Sequence, residues 1–574
     1  MDKLNYNKYL KLRNDYNKKV NIISSIRLIV FILMILSFFI SSSNNIYVYI
    51  GFVFLIFFLL LIFVHDKYYK LLDYYNKYII ILDEYKDRKS GKWREFSDKG
   101  NEYNNYLLSD LNIVGDNSLF QYLSICNTMG GRDKLINKLS DNKCDNKELI
   151  KRQDVIKDLT KMIDFDISFQ VSMFDFRNKK INLEEGINVL NKKVGNKKVD
   201  LFIGLLFSLL SLILLFFGYL KIISLNYFYG MFLFNFFVNY MYSYIYNKEF
   251  NDISIVSLLY GKLSNTFDLI INNNYNSLEL NRIYKDVKDS YGMVKKIQFI
   301  DSLNNLKNNI LASFIFNGLF CVNIIVMYLY SYYQTSNIYS LKKGICDIEE
   351  LEAYISLAGV GIVNNNVCMP VMNDDVSISF NNMKHPLIDN NRCVGNDFKG
   401  TNGVNIITGS NMGGKTTFIR TIGINLILMY AGTFVCADSF SSSYFKIYTS
   451  ISVGDDISKG ISTFYNELLR IKEAIDNDKD NRIILVDEIF KGTNYNDRIY
   501  GAKEVIKKFN DNRTILFVTT HDFELCDIKG KNINNYYVKE FYEDDNIKFD
   551  YKIREGKCTS TNAMYLMKKL KIID

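Results

Sequence analysis

The stretch VNIITGSNMGGKTTFIRTIG, Val404 to Gly423, decides the fold of the C-terminal part of this 574-residue chain. A short β-rich run, Val404–Thr408, leads into a G-x-x-x-x-G-K-T loop, and an apolar-periodic helix follows. This is the strand–loop–helix context that a phosphate-binding P-loop requires. The sequence therefore predicts a nucleotide site in an α/β domain.

The loop residues predict how the phosphates are held. Glycines let the backbone curl so that its N–H groups face an anion, and the helix N-terminus adds its dipole. Lys415 is expected to reach the β- and γ-phosphates, and Thr416 is expected to place its hydroxyl on Mg²⁺. The predicted nucleotide-binding residues of the loop are Gly409, Ser410, Asn411, Met412, Gly413, Gly414, Lys415, Thr416 and Thr417.

A second run, RIILVDEIFKGTN from Arg482 to Asn494, is an apolar strand that ends in paired carboxylates. An acid at the end of a strand beside a P-loop is placed to hold Mg²⁺, and we assign that role to Asp487, together with Thr416. Glu488 would then polarise the attacking water as general base. The alternative is a buried strand with two acids at its solvent end, but the P-loop upstream favours the catalytic interpretation.

A third run, TILFVTTHD from Thr514 to Asp522, places His521 just past an apolar strand. Parallel strands present ligands at their carboxyl ends, so we interpret His521 as a catalytic sensor of the γ-phosphate rather than a structural histidine. The β-rich runs alternate with helical stretches. Their order predicts a doubly wound α/β sheet.

Four apolar windows ahead of this domain predict membrane spans arranged as two hairpins. They cover about residues 22–43, 46–64, 201–220 and 225–246, and a bilayer core needs about 20 apolar helical residues. A cleaved signal peptide is the alternative for the first window, but no A-x-A-like site follows and a second span comes at once. Because the first 20 residues are basic, both termini and residues 65–200 are expected in the cytoplasm.

A fifth uncharged window covers Ile310–Tyr333. An odd number of spans would separate the nucleotide domain from the basic N-terminus, so we predict a buried core helix there. Residues 247–308 are expected to be helical, with an apolar stripe formed by Ile283, Val287, Tyr291 and Val294. LEAYISLAG, Leu351 to Gly359, is predicted as one further helix.

The amino-acid composition narrows the classes of protein to which the chain can belong. A chain with 48% hydrophobic and 23% charged residues is too apolar to be disordered. The net charge of +8 is spread along the chain and fits nucleic acid or an anionic membrane face equally well. Nine cysteines without a C-x-x-C pair, and only three histidines, argue against a zinc site.

Taken together, these motifs resemble the ATPase domain of the MutS family, a branch of the ABC-type ATPases. TGSNMGGKTTFIR matches the family's Asn-Met-Gly-Gly-Lys loop, with Ser410 where the family usually has proline. GDDISKGISTFYNEL (Gly454–Leu468) resembles its Asp-rich Ser-Thr-Phe signature, and DEIFKGTN and TTHDFEL match its magnesium-and-base and histidine segments. KHPLI, AGTFVCA (with Cys436 for the usual proline) and Tyr551–Leu570 are also similar, so the resemblance covers about Lys384 to the end.

The resemblance extends upstream. Asp116–Leu159 is similar to the start of the MutS helical core, and the second predicted hairpin lies inside that core. No counterpart of the family's mismatch-reading domain is visible, so any DNA binding is expected not to be mismatch-specific. In ABC-type ATPases the signature of one subunit closes over the ATP of the other. The resemblance therefore implies a homodimer through the ATPase domain, with Ser462 acting in trans as a further nucleotide-binding residue.

The sequence thus predicts a multidomain, multi-pass protein of the cell membrane: an all-α helical core interrupted by transmembrane hairpins, followed by an α/β P-loop ATPase domain that uses ATP and Mg²⁺ in the cytoplasm. The predicted parts are a basic N-terminus with the first hairpin (1–66), a helical segment that is core-like from about 110 (67–200), the second hairpin (201–246), a helical lever (247–383) and the ATPase domain (384–574). The main alternative is an ABC-type transporter coupled to its own spans, although no Leu-Ser-Gly-Gly-Gln signature is present. A scaffold with an idle site is a third class, disfavoured by the intact Lys415, Asp487, Glu488 and His521.

Overall fold

The computed structural model describes residues 5–40, 46–103, 105–140, 145–177, 181–308, 310–334, 338–389, 391–410, 412–451, 463–477, 479–543 and 546–558. The chain forms two compact units. The first comprises Met1–Lys89 with Met162–Arg177, and the second comprises Ser90–Lys161 with Asn178–Asp574.

The first unit is a long helical hairpin with one short helix. Its helices are α1 (Tyr6–Ile40), α2 (Ile46–Ser90) and α7 (Ile163–Met173). Aromatic pairs join α1 to α2 along an antiparallel contact, from Tyr9–Tyr78 with ring centroids 4.1 Å apart to Phe38–Phe52 at 5.6 Å. The two predicted spans of the first hairpin therefore form parts of longer helices.

The second unit has a helical part, and its helices precede and follow α7 in the sequence. Its helices are α3 (Tyr106–Asp110), α4 (Leu119–Leu123), α5 (Met129–Ser140), α6 (Asn146–Lys161), α8 (Leu183–Leu190), α9 (Lys198–Tyr219), α10 (Leu225–Ile245), α11 (Asn247–Val256), α12 (Ser264–Ile271), α13 (Leu278–Asn304), α14 (Ile310–Phe320), α15 (Val322–Tyr333) and α16 (Ile338–Val363). This confirms the predicted helical region ahead of the α/β domain. The predicted helix at 351–359 is the C-terminal part of α16.

Three described helices are long and apolar enough to cross a membrane: α1, α2 and α9. Most side chains in their apolar windows are exposed, among them Phe39, Phe63 and Phe202. The predicted fourth span, at 225–246, forms helix α10 but is not among these three helices. Its asparagines and numerous tyrosines make it less apolar than α9.

The window 310–333 does not form the single buried helix that the sequence predicted. It forms α14 and α15, which are bent by 77° relative to each other. Cys321 lies between them in the left-handed region, with φ of 50°. Asn317 supports the bend, because its Oδ1 accepts a hydrogen bond from the Asn323 N–H at 3.1 Å. Only the α15 half is largely buried, and Phe314, Ile315 and Phe316 of α14 are partly exposed.

The helical core is built around α13 and α16, which pack against each other, while α16 also packs against α5 and α6. The predicted stripe on α13 is largely confirmed, because Ile283, Val287 and Val294 are buried. Tyr291 is partly buried and donates a hydrogen bond to Asp268 at 2.5 Å.

Two sheets follow the helical core. The strands are β1 (Val371–Asn373), β2 (Ser377–Met383), β3 (Asn396–Thr401), β4 (Gly403–Thr408), β5 (Ser439–Ser443), β6 (Lys446–Ser450), β7 (Arg482–Asp487), β8 (Thr514–Thr520), β9 (Ile533–Glu543) and β10 (Asn546–Glu555). One sheet has the order β1-β5-β2-β3, and the other has the order β10-β9-β4-β8-β7-β6. In the larger sheet all neighbours are parallel except β9 and β10.

Helices cover both faces of the larger sheet. They are α17 (Lys415–Tyr430), α18 (Thr463–Asp476) and α19 (Tyr495–Lys508). Leu516 and Val518 of β8 pack in one core with residues of α18 and α19. Phe517, which points to the opposite face, contacts Phe418 of α17 and Phe398 of β3. The α/β domain therefore has the layered arrangement that the alternation of strands and helices predicted.

Candidate nucleotide site

The P-loop connects a buried central strand to a buried helix. All of β4 is buried, and Gly414, with φ of 90°, precedes the first residue of α17. Gly409 also has a positive φ, of 139°. A Cβ at Gly409 or Gly413 would collide with Val538 of β9, so a side chain at either position would displace the loop from the sheet.

Lys415 lies across this loop. Its ammonium donates hydrogen bonds to the carbonyl oxygens of Gly409 and Ser410, at 2.8 and 2.9 Å. Burial, partly opposed by Glu488 and Asp487, lowers the pKa of Lys415 to about 8. The side chain is thus a buried cation at the start of α17, which suits an anionic ligand.

Asp487 is held by hydroxyl groups from two different elements. Its Oδ2 accepts a hydrogen bond from Thr416 Oγ1 at 2.8 Å, and its Oδ1 accepts one from Thr519 Oγ1 at 2.5 Å. The second contact follows from strand register, because Asp487 lies directly opposite Thr519 in the parallel β7–β8 pair. The two predicted magnesium ligands, Thr416 and Asp487, are therefore adjacent, and their oxygens are of the kind that Mg²⁺ prefers.

Glu488 and His521 face each other at the same edge of the sheet. Glu488 Oε1 lies 3.0 Å from His521 Nε2, and Glu488 Oε2 lies 2.8 Å from Lys491 Nζ. Burial opposes ionisation of Glu488, but the contacts with Lys491 and His521 outweigh it and hold the pKa of this carboxyl below its ordinary value. His521 also lies 3.4 Å from Lys415 Nζ. Burial and the charge on Lys415 lower the pKa of His521 and favour the neutral imidazole.

The backbone at Glu488 is strained. Its φ is 55° and that of Phe490 is 61°, both in the left-handed region that non-glycine residues seldom adopt. The Glu488 N–H donates to Thr519, and the Phe490 N–H donates to Glu467 Oε1 of α18 at 2.6 Å. These bonds fix the turn after β7, which aims the Glu488 carboxylate at His521.

A cavity of about 390 Å³ opens beside the loop. Its lining includes Lys415, Thr416, His385, Asn396 and Tyr551. Its volume is in the range of small-molecule sites, roughly 300–1,000 Å³. Burial and the nearby Arg420 lower the pKa of His385 to about 4, so its ring is neutral.

Three observations fit a nucleotide and its magnesium ion at this edge. Gly409 and Gly414 adopt the positive φ angles that let a phosphate-binding loop curl. The hydroxyl oxygen of Ser410 is buried without a hydrogen-bond partner among the described residues. The acid and hydroxyl oxygens of Asp487 and Thr416 form a donor set for a hard cation.

A family model described as MutS domain V matches residues 405–572 of this chain. The C-terminal part of the chain is therefore similar to domain V of the MutS family. The DNA mismatch repair protein MutS of Clostridioides difficile (strain 630) is 30% identical over 249 residues, which are 42% of this chain and 26% of that protein. The MutS proteins of Clostridium perfringens and Aquifex pyrophilus are 33% and 31% identical over 222 and 220 residues. The chain thus spans about a quarter of the length of the curated relatives it matches.

Within this MutS-like domain the structure brings together most of the residues that the sequence singled out. Lys415, Thr416, Asp487, Glu488 and His521 converge on one edge of the sheet. Thr417 follows in α17 and lines the cavity. Met412 is an exposed residue of the loop. Asn411 and Ser462 lie outside the described residues, as do 452–462 of the signature segment and 559–574 of the closing segment.

The sequence reasoning missed several residues of the site. Thr519 orients Asp487, Lys491 pairs with Glu488, and Glu467 holds the turn between them. The sequence did contain a signal for Thr519. When β7 and β8 are aligned in parallel by their ends, this hydroxyl residue near the end of β8 lies beside Asp487 at the end of β7. Lys491 and Glu467 carried no such signal.

Proposed function

We propose that this chain is a membrane-anchored MutS-like ATPase that binds ATP with Mg²⁺ and hydrolyses it at composite sites between two copies. The observation that carries the proposal is the Thr416–Asp487–Thr519 hydrogen-bond chain, with the Glu488–His521 pair at the same sheet edge as Lys415. A metal-binding acid, a neighbouring ionised carboxylate and a loop cation are the parts that phosphoryl transfer to water requires. ATP and Mg²⁺ are thus the proposed substrate and cofactor.

Each side chain has a role that follows from its surroundings. The loop N–H groups and Lys415 would bind the phosphates, and Thr416 and Asp487 would hold the magnesium ion. The ion would neutralise charge that develops on the phosphate oxygens. Glu488 is kept ionised by Lys491 and His521, so it can accept a proton from the attacking water. The cavity beside Tyr551 and His385 would take the nucleoside.

Assembly into a homodimer is supported by exposed apolar groups near the site. Tyr465 and Leu469, four residues apart on α18, are 52% and 42% exposed, and Met412 of the loop is 72% exposed. Residues four apart lie on one face of a helix. This face of α18 follows the predicted trans-acting Ser462, so a second copy covering it would also complete the ATP site.

Membrane anchoring is supported by the exposed apolar surfaces of α1, α2 and α9. We include α10 as a fourth span, because its two central asparagines are turned inward. Asn235 donates to Ser211 of α9 at 2.6 Å, and both Asn235 and Asn239 are fully buried, whereas Phe237 and Tyr240 are exposed. The mean hydropathy of α10 includes these buried asparagines, so it underestimates how apolar the exposed face of the helix is. The bent α14–α15 pair packs on α9 and α10 and would enter and leave the bilayer on one side.

DNA is the proposed macromolecular partner, bound through phosphates rather than through mismatched bases. The support is the similarity of the C-terminal domain to MutS proteins, which are named as DNA mismatch repair proteins, together with the net charge of +8. Contacts from Lys and Arg to phosphates carry no base information and weaken with salt.

One experiment tests both parts of the proposal. ATP hydrolysis by the full-length protein in detergent is measured with and without matched or mismatched duplex DNA, at low and high salt. We expect Mg²⁺-dependent hydrolysis that DNA stimulates, with a DNA affinity that falls by a log–log slope of about −0.9 per phosphate contact and shows no preference for the mismatch. Absence of hydrolysis would refute the ATPase. Hydrolysis without salt-sensitive DNA binding would refute the DNA partner alone, and a clear mismatch preference would refute phosphate-only recognition.

The composite site has its own test. A Lys415→Ala variant and a Ser462→Ala variant are mixed, so that a heterodimer contains one site with neither change. We expect the mixture to regain part of the activity that each variant lacks alone. No recovery, with heterodimers demonstrated by pull-down, would contradict a site shared between subunits.

A further inference from the structure

A short helix from outside the ATPase domain packs against it. Helix α3 lies in the sequence between α2 and the start of the helical core, and it contacts β6. Its last residue, Asp110, is fully buried. Its Oδ2 accepts a hydrogen bond from the Ile451 N–H at 3.1 Å and from Arg470 Nη1 at 2.8 Å. Its backbone oxygen accepts one from Arg420 Nε at 3.0 Å.

These three donors lie on or beside three different elements of the ATPase domain. Arg420 is on α17, the helix that begins with Lys415. Ile451 directly follows β6, and Arg470 is on α18. Ile451 precedes residues 452–462 in the sequence, and α18 follows them. The Asp110 carboxylate therefore accepts hydrogen bonds from both flanks of this segment, and the Asp110 backbone carbonyl accepts one from α17, the P-loop helix.

A second set of contacts holds α3 in the same place. The Tyr106 hydroxyl donates to Glu473 Oε2 of α18 at 3.1 Å, and the Arg470 guanidinium lies 5.0 Å from the centre of the Tyr106 ring. The next residue, Leu111, packs so closely on Gly423 of α17 that a Cβ at Gly423 would collide with it. A shift of α3 would therefore move α17 and α18 relative to each other.

We propose that Asp110 is a positioning residue for ATP hydrolysis, through which the chain ahead of the ATPase domain controls the placement of α18 relative to the P-loop. The inference rests on the proposed composite site, because α18 carries the exposed face that would meet the second copy. Asp110 accepts hydrogen bonds from Ile451, Arg470 and Arg420, none of which is among the residues that would bind ATP. It acts by holding two elements in register, and charge-assisted bonds from a buried carboxylate are strong enough to do so.

Steady-state kinetics of the full-length protein test the proposal with Asp110→Asn, Arg470→Gln and the double variant. We expect kcat to fall roughly 10–100-fold, the size of effect that a displacement of about 1 Å can have, while KM for ATP stays within about twofold because the loop is untouched. The double variant is expected to have a kcat no lower than that of the slower single variant, because both substitutions break the same Asp110–Arg470 contact. Arg470 is partly exposed, so its variant remains informative if Asp110→Asn does not fold.

Asp158→Asn is the matched control. Asp158 is a buried carboxylate of α6 that accepts hydrogen bonds from the backbone N–H groups of Asn276 at 2.9 Å and Ser277 at 2.6 Å, and neither partner belongs to α17 or α18. It is expected to lower the melting temperature and leave kcat within about twofold, which separates positioning from general stability. The proposal is overturned if Asp110→Asn or Arg470→Gln retains normal kcat, if their effects multiply in the double variant, or if Asp158→Asn loses as much kcat. A wild-type protein without hydrolysis would instead refute the proposed function.

Discussion

Asp487 has each of its carboxylate oxygens engaged by a threonine from a different element, Thr416 on α17 and Thr519 on β8. The carboxylate is therefore oriented by the fold itself. Partners that orient a metal-binding side chain matter nearly as much as the ligand, because they set the direction of its lone pairs.

This orientation predicts the effect of Thr519→Val, which removes the hydroxyl and preserves the shape of the side chain. We expect the Mg²⁺ concentration for half-maximal ATP hydrolysis to rise roughly 10–100-fold, with ATP binding retained. Thr520→Val is the control, because the Thr520 hydroxyl accepts from the Asp522 N–H and does not contact Asp487. An unchanged Mg²⁺ requirement in Thr519→Val would show that Asp487 needs no such support.

At this scale the residues to which the sequence assigned chemistry lie together at one edge of the sheet, whereas the residues that orient them were missed. Lys415, Asp487, Glu488 and His521 stand in motifs whose spacing is dictated by the ligand. Thr519 is one of two adjacent threonines, and only the register of β7 against β8 distinguishes them. Orientation of this kind depends on tertiary pairing, which a single sequence does not display.

The contact between α16 and α5 shows what packing adds at the scale of elements. Gly130 and Gly131 begin α5 where the carboxylates of Glu349 and Glu352 reach its N-terminus, and a Cβ at either glycine would collide with them. Glu352 accepts hydrogen bonds from the Thr128 hydroxyl at 2.5 Å and the Asn127 N–H at 2.8 Å. The glycine pair of the sequence NTMGGR thus has a steric reason.

Glu349 predicts a pH effect on stability. Burial, and then the neighbouring Glu352, raise the pKa of Glu349 to about 8 from an ordinary value of 4.5. Between these two pH values the folded state holds a proton that the unfolded state has lost, so this group makes the protein less stable as pH rises. Glu349→Gln stays neutral. The free energy of unfolding of this variant is expected to equal that of wild type near pH 4.5 and to exceed it by a few kcal/mol at pH 8. Thermal unfolding in detergent measures the difference.

Glu350→Gln provides a control of opposite sign. Burial opposes ionisation of Glu350, but Lys138 at 2.5 Å outweighs it and holds the pKa of this carboxyl below its ordinary value. Its ionised form stabilises the fold above pH 4.5, so the variant should be less stable than wild type at pH 8. Equal pH profiles for wild type and Glu349→Gln would contradict the assignment of a protonated Glu349.

The sequence predicted the buried face of one helix but missed a break between two others. The stripe on α13 is visible because burial on one helix face leaves a period in the sequence. The break between α14 and α15 left no such trace, because Cys321 is neither glycine nor proline and the window is uncharged throughout. The left-handed Cys321 and the hydrogen bond from the Asn323 N–H to Asn317 occur where α14 and α15 pack against α9 and α10.

At the scale of the whole molecule, topology is the first property to test. Four spans and a bent pair that returns to its own side predict that Lys221→Cys, in the turn after α9, reacts with an impermeant thiol reagent outside intact cells. Tyr339→Cys, exposed at the start of α16, should react only after permeabilisation. The unsubstituted protein gives the background from native cysteines. Labelling of position 339 in intact cells would mean that α14 and α15 together cross the membrane.

The central claim is hydrolysis of ATP by the residues at the sheet edge, and Glu488→Gln tests it most directly. ATP binding and single-turnover hydrolysis are measured on the full-length protein in detergent, with Lys415→Ala as the variant that should not bind. Glu488→Gln should bind ATP like wild type, because Lys415, Thr416 and Asp487 remain. Its hydrolysis should be slower by about 10²–10⁴-fold, the usual effect of losing one general base. Turnover close to that of wild type would contradict the account.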